Sequence, residues 1–263
     1  MKSDIERYVS VSAKIDTSDI DWDQAREAGL TEDEKFVLTY FSDVESQTIR
    51  YMKMLLQMKI ALRPSVAAFL TTWNYEEFFH GYELGRLLAV CGSPLDDDRV
   101  EKVSGKARFN EWLEALFAPL LSRIFSNQFP AVYLSFGAIQ EITTLRGYEH
   151  LRHYTRNPVL QLLCERIAKQ ERRHFAWYFN HARELLVESR GARVLARKLL
   201  EFNWVPVGAG IKSPDEVKRL FSILFPVESA RKLVREIDAK MGTLPGLEGI
   251  KLMEPYFEKA GAL

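Results

Sequence analysis

Three prolines, Pro64, Pro130 and Pro158, each stand at the head of a long segment whose apolar residues recur at helical spacing. At the first position of a helix the missing N–H costs no hydrogen bond and the ring presets φ, so such prolines begin helices rather than break them. Asn157, immediately before Pro158, adds a side chain suited to cap the exposed N–H groups of the first turn. Alternating strand patterns are nearly absent. The expected fold class is all-α.

The segment from about residue 31 to residue 62 repeats Phe36, Val37, Tyr40, Phe41 and Val44, and Thr31 with Glu34 reads as a capping box at its start. A second helix is expected from Pro64 to about Val90, stopped by Cys91-Gly92-Ser93-Pro94 with Gly92 as terminator. A third, over about 106–126, carries Phe109, Trp112, Leu113, Leu116 and Phe117. The fourth should run from Pro130 to about Tyr154 and the fifth from Pro158 to about Ser189. Beyond Gly191 the pieces shorten, punctuated by Pro206, Pro214, Pro226 and Pro245. No low-complexity linker interrupts the chain. The reading is one domain over 1–263, with an N-terminal extension over 1–30 and C-terminal helices over 191–263 packing on the bundle.

Composition narrows the function classes. Of 263 residues, 36 are Lys or Arg and 36 are Asp or Glu, so no net basic excess points to nucleic acid or a membrane surface. Two cysteines, Cys91 and Cys164, cannot make a disulfide framework and fit a reducing compartment. The first thirty residues lack an apolar signal core, and no apolar run approaches the roughly 20 residues of a membrane span. A soluble, cytoplasmic protein is expected.

Two of the five histidines have a glutamate three residues before them: Glu77 with His80, and Glu171 with His174. On a helix, residues three apart share a face about one turn apart, so each pair can grip one ion. Glu45 lies 32 residues before Glu77, with the midpoint beside Arg63-Pro64. Glu141 lies 30 residues before Glu171, with the midpoint beside Asn157-Pro158. If each interval is an up-and-down helix pair, the two glutamates of each interval face each other at one height. Four helices would then carry Glu, Glu-x-x-His, Glu and Glu-x-x-His, the donor set of a carboxylate-bridged dimetal site in a four-helix bundle. Four ionised carboxylates in an apolar bundle are costly, and two divalent ions cancel their charge. Carboxylate and imidazole donors suit iron or manganese, alone or mixed.

The surrounding residues resemble a known family. Trp73-Asn74-Tyr75-Glu76-Glu77-Phe78-Phe79-His80-Gly81-Tyr82-Glu83-Leu84 resembles the W-x-x-E-E-x-x-H-G-x-x-L segment of the soluble acyl-acyl-carrier-protein desaturases. Ser135-Phe136 followed by Gln140-Glu141-Ile142-Thr143-Thr144 is similar to their S-F-Q-E-x-x-T stretch, with three extra residues after the Phe. Ile167-Ala168-Lys169-Gln170-Glu171-Arg172-Arg173-His174 resembles their I-A-x-D-E-x-R-H motif, and Glu45 with Tyr51, Met54 and Leu55 resembles their first ligand helix. The likeness spans about residues 35–250. It departs at Gln170, where the family has an aspartate that orients a ligand histidine; an amide can accept the same hydrogen bond without a charge.

By that resemblance the fold is a ferritin-like four-helix bundle with additional crossover and C-terminal helices. Glu45, Glu77, His80, Glu141, Glu171 and His174 carry over as metal ligands, and Thr144 matches a threonine beside the oxygen-binding face. Glu45, Glu77 and His80 would surround one ion and Glu141, Glu171 and His174 the other, with Glu77 and Glu171 bridging. The resemblance implies two iron ions and dioxygen as co-substrate. It implies desaturation of a fatty acyl chain carried by acyl carrier protein or coenzyme A, electrons from a separate reductase or ferredoxin, and a homodimer. The alternatives are a di-iron oxygenase on another substrate (a hydroxylase, N-oxygenase or deformylating oxygenase), a ferritin-like iron-oxidising protein, or a bundle without metal. Ile167 stands where N-oxygenases place a further histidine, and the long C-terminal part disfavours a storage cage. An acyl chain needs a narrow apolar tunnel, for which Met52, Leu55, Leu56 and Met58 on one helix and Leu134, Phe136, Gly137 and Ile139 on another are candidates, Gly137 leaving room for a ligand. Glu76 and Gln140, which flank ligands, read as surface or helix-face polar groups. His181 reads as a surface residue, and Trp177, Tyr178 and Phe179 as core.

Overall fold

The Thr31 hydroxyl accepts from the Glu34 N–H at 3.2 Å while Glu34 accepts from the Thr31 N–H at 2.7 Å, so the capping box read in the sequence does start a helix. The computed structural model describes residues 4–104, 127–225, 227–259 and 261–263. In chain order the helices are α1 (Asp4–Val11), α2 (Trp22–Ala28), α3 (Glu32–Glu45), α4 (Thr48–Leu56), a 3-10 turn (Lys59–Leu62), α5 (Pro64–Val90), α6 (Phe129–Tyr154), α7 (Pro158–Glu188), α8 (Arg190–Asn203), α9 (Pro214–Leu224), α10 (Val227–Met241) and α11 (Met253–Lys259). No strand occurs among the described residues. The helix expected over 106–126 lies outside the described residues.

The punctuation works as local chemistry demands. Pro64 opens α5, which ends before Gly92 at φ +79°, a left-handed turn that glycine adopts without cost. Asn157 accepts from the N–H groups of Val159 and Leu160 at the head of α7. Its amide nitrogen donates to the carbonyls of Ala25 and Gly29, tying the end of α2 to the same point.

One boundary differs from the sequence reading. The first ligand segment does not continue as one helix to residue 62: α3 ends at Glu45, and α4 begins at Thr48. The hydroxyl of Ser46 donates to the Asp43 carbonyl and that of Thr48 to the Glu45 carbonyl, each at 2.8 Å. These bonds satisfy acceptors that the next helical turn would otherwise use, and the backbone tightens into three-residue turns. Glu45 therefore sits at a helix end, not near the middle of a long helix.

The chain divides into two compact units, Met1–Arg108 with Gly147–Gln170, and Phe109–Arg146 with Glu171–Leu263. The divisions fall inside α6 and α7, both of which are continuous there. In the first unit α5 is the spine, and α1, α2, α3 and α4 all pack on it. Val37, Leu38 and Phe41 of α3 and Leu84, Leu87 and Leu88 of α5 are buried. Asp43 is buried too, accepting from Nε and Nη2 on one edge of the Arg99 guanidinium at 2.6 and 2.7 Å. In the second unit the Tyr178 ring of α7 packs on Gly137 of α6, and Phe221 of α9 stacks on Phe257 of α11 at 3.6 Å between centroids. Asp238 of α10 accepts from the N–H groups of Leu252, Met253 and Glu254, which caps α11 from a neighbouring helix.

Candidate metal centre

In the first unit α5 carries Glu77 and His80 one turn apart on its buried face. Gly81, the next residue, lets α3 come close: a Cβ there would meet the Glu45 Cβ at 3.2 Å and the Ser42 carbonyl at 3.3 Å. The Ser42 hydroxyl donates to the Gly81 carbonyl at 3.1 Å and seals that approach. The result places Glu45 beside the α5 pair. The donor atoms of Glu45, Glu77 and His80 lie within 4.8 Å of one another, with His80 fully buried and the two glutamates nearly so. His80 Nδ1 is 3.3 Å from Glu77 Oε2.

Two residues, Tyr148 and Gln170, contact the side chains of this triad. The Tyr148 hydroxyl, buried on α6, donates to Glu45 Oε1 at 2.6 Å, and its ring stands edge-on to His80. His80 Nε2 lies 2.7 Å from Gln170 Oε1 on α7. Gln170 Nε2 in turn donates to the Ala13 carbonyl at 2.7 Å, in the segment between α1 and α2. Glu76 is fully buried and accepts from the Ala13 N–H at 3.1 Å, so it is not a surface group.

In the second unit α6 carries Glu141 and α7 carries Glu171 and His174. Their donor atoms again lie within 4.8 Å of one another, and all three residues are buried. His174 Nδ1 is 3.6 Å from Glu141 Oε2 and 3.6 Å from Glu171 Oε2. These separations exceed an ordinary hydrogen bond and suit donor atoms arranged around an ion. Thr144 lies half-buried one turn beyond Glu141 on α6. Gln140 donates to the Val205 carbonyl at 3.2 Å. His181 lies on the Trp177 ring at 4.0 Å and donates from Nδ1 to the Trp177 carbonyl. Trp177, Tyr178 and Phe179 are core.

Gly137 does not leave room for a ligand, as the sequence had led us to expect. A Cβ there would stand 2.5 Å from Cδ1 of Tyr178, so the space that glycine opens is filled by that ring. The sequence reading missed Tyr148, although its place two turns beyond Glu141 on one helix face was a usable signal. It also missed Ala13, which acts through its backbone and leaves no trace in residue type.

The fold and the site define an all-helical protein with buried glutamate and histidine groups able to hold metal ions. No family model matches the chain, and neither curated proteins nor solved structures give a match. Among the described residues, no helix is long and apolar enough to cross a membrane.

Proposed function

We propose that the two triads together form one dimetal centre and that the protein is an oxygen-dependent di-iron oxidase. The observation that carries this reading is the burial of two glutamate–glutamate–histidine triads, each with its donor atoms within 4.8 Å. Carboxylates buried in this way are strongly unfavourable unless cations balance them, and two divalent ions balance four. Glu77 and Glu171 would be shared by the two ions, with Glu45 and His80 completing one set and Glu141 and His174 the other. Iron is the metal proposed, with manganese or a mixed pair the alternative for the same donors. When bound, two iron ions supply the electrons and coordination positions that reduce dioxygen and drive oxidation of a C–H bond.

The chain's own residues hold this chemistry in place. Tyr148 orients the Glu45 carboxylate by donating to one of its oxygens. The donor residues of each triad are buried, which keeps bulk water from them. Thr144 is proposed to line the oxygen-binding side. The resemblance to the acyl-acyl-carrier-protein desaturases supports a ferritin-like bundle, a carrier-bound acyl substrate, an external reductase or ferredoxin and a homodimer, and the two cysteines, too few for a disulfide framework, support a cytoplasmic setting. A second reading, an oxygenase acting on a small substrate, is favoured by Tyr178 occupying the space at Gly137, where a long chain was expected to pass.

Metal analysis after anaerobic loading with ferrous iron tests the centre. Two ions per chain are expected, falling in Glu171→Ala because that change removes a carboxylate shared by both. Protein that retains no metal overturns the proposal. Incubation with acyl thioesters, a reductase and oxygen, followed by mass spectrometry, separates the readings: loss of two hydrogens from the chain supports desaturation, and unaltered chains support the small-substrate oxygenase.

A further inference from the structure

We infer that residues 12–20 form a strap that fixes which nitrogen of His80 carries its proton, acting through Gln170; the inference rests on the reading of His80 as a ligand. A glutamine amide donates from one end and accepts at the other. The Gln170 end facing the Ala13 carbonyl must be the NH2, since a carbonyl only accepts. The end facing His80 is therefore Oε1, which can only accept, so His80 Nε2 bears the hydrogen. In a neutral imidazole this leaves the lone pair on Nδ1, the nitrogen that faces Glu77 at 3.3 Å. That nitrogen is the one an ion held by Glu77 needs.

Freed from Ala13, the amide can turn over and offer its NH2 to His80. Nε2 then becomes the acceptor, the proton moves to Nδ1, and the imidazole no longer presents a donor atom to the site. The direction of one amide thus decides whether His80 can ligate, and a backbone carbonyl 157 residues away decides the direction of the amide. A carboxylate at position 170 would set an oxygen against the Ala13 oxygen, which gives a physical reason for an amide here.

The strap is built to hold Ala13 still. Both backbone groups of Ala13 are engaged, the carbonyl by Gln170 on α7 and the N–H by Glu76 on α5. Ile15 and Ile20 are buried on either side of the following turn. Arg166 of α7 grips both carboxylate oxygens of Asp19, at 2.8 and 2.6 Å, and donates to the Asp16 carbonyl. Gln170 and Ala13 are positioning residues, since neither contributes a donor atom to the triad.

The test uses full-length, metal-free protein with 15N-labelled histidine. Long-range proton–nitrogen NMR, followed upward in pH until the ring nitrogens report a neutral imidazole, reads the His80 tautomer directly. In the wild type the proton should sit on Nε2. In Gln170→Leu it should redistribute toward Nδ1, as it should in the double variant Ile15→Asp with Arg166→Ala, which releases the strap without touching Gln170. Manganese(II) titration of the same proteins should show one of the two ions bound about 10- to 100-fold more weakly. Circular dichroism confirms that each variant is folded, and if Gln170→Leu is not, the double variant decides. The inference is overturned if the neutral His80 ring keeps its proton on Nε2 in either folded variant. If the wild type binds no manganese or iron, the dimetal reading fails, while the tautomer measurement still decides the strap.

Discussion

The ring of Tyr178 occupies the place where a side chain at Gly137 would be, with Cδ1 only 2.5 Å from an ideal Cβ. Both residues lie on long helices, and the glycine lets the aromatic ring press against the α6 backbone. Glycine inside a helix costs about 1 kcal/mol relative to alanine, and here close packing offsets that cost. Gly137→Ala should therefore destabilise the protein by about 1–3 kcal/mol through overpacking, read as a lower urea midpoint with iron binding retained. If Gly137 instead faced space for a ligand, alanine would be tolerated or stabilising.

Tyr148→Phe removes the hydroxyl that donates to Glu45 at 2.6 Å and leaves the ring packing intact. Groups that orient a ligand commonly change metal affinity about 10- to 100-fold. A loss of about tenfold is expected in iron or manganese titrations, with the helical content unchanged. Equal affinity in the two proteins would show that Glu45 does not depend on this hydrogen bond.

Arg99→Ala removes the two charged bonds to the buried Asp43 carboxylate, two residues before Glu45. Removing one partner of a fully buried pair costs about 3–5 kcal/mol. The Arg99 side chain is 29 % exposed, and water screens part of the interaction, so a loss of about 2 kcal/mol is expected. Chemical denaturation measures it, and a change below about 0.5 kcal/mol, the usual size for an unremarkable surface site, would count against a structural role for the pair.

Cysteine reactivity gives a direct check on the core. Cys164 is completely buried, and burial pushes its thiol well above the ordinary range. Cys91 is half-buried and donates to the Ala25 carbonyl, and burial raises its thiol too. A raised value means less thiolate at a given pH, and the thiolate is the reactive form. At pH 8 the folded protein should therefore expose no more than one thiol to a disulfide reagent, and slowly, with the second reacting only on unfolding. Rapid modification of both in the folded state would contradict this packing.

Asn157→Ala removes a helix cap and, with it, the two bonds to Ala25 and Gly29. A cap alone is worth about 1 kcal/mol. The Ala25 carbonyl keeps its bonds from the Gly29 N–H and the Cys91 thiol, so losing the two amide bonds adds only about 0.5–1 kcal/mol, and a total of about 1.5–2 kcal/mol is expected in thermal or urea melts. A loss no larger than that of a cap would mean the Ala25 and Gly29 carbonyls find other partners.

The sequence by itself determined what short-range chemistry determines. Pro64 and Asn157-Pro158 start α5 and α7, Thr31 and Glu34 cap α3, and Gly92 ends α5, because each acts on backbone groups within a turn of itself. The spacing of Glu77 to His80 and of Glu171 to His174 likewise settles which donors share a helix face. Only the tertiary structure decided the rest. The helix break after Glu45 depends on the hydroxyls of Ser46 and Thr48 bonding to nearby carbonyls, a choice those side chains make differently in other settings. Whether Gly137 opens space or admits a ring depends on Tyr178, which lies 41 positions along the chain. The setting of His80 depends on the carbonyl of Ala13, a group every residue has. Backbone polarity is the same at every position, so only the path of the folded chain could bring that one oxygen to Gln170.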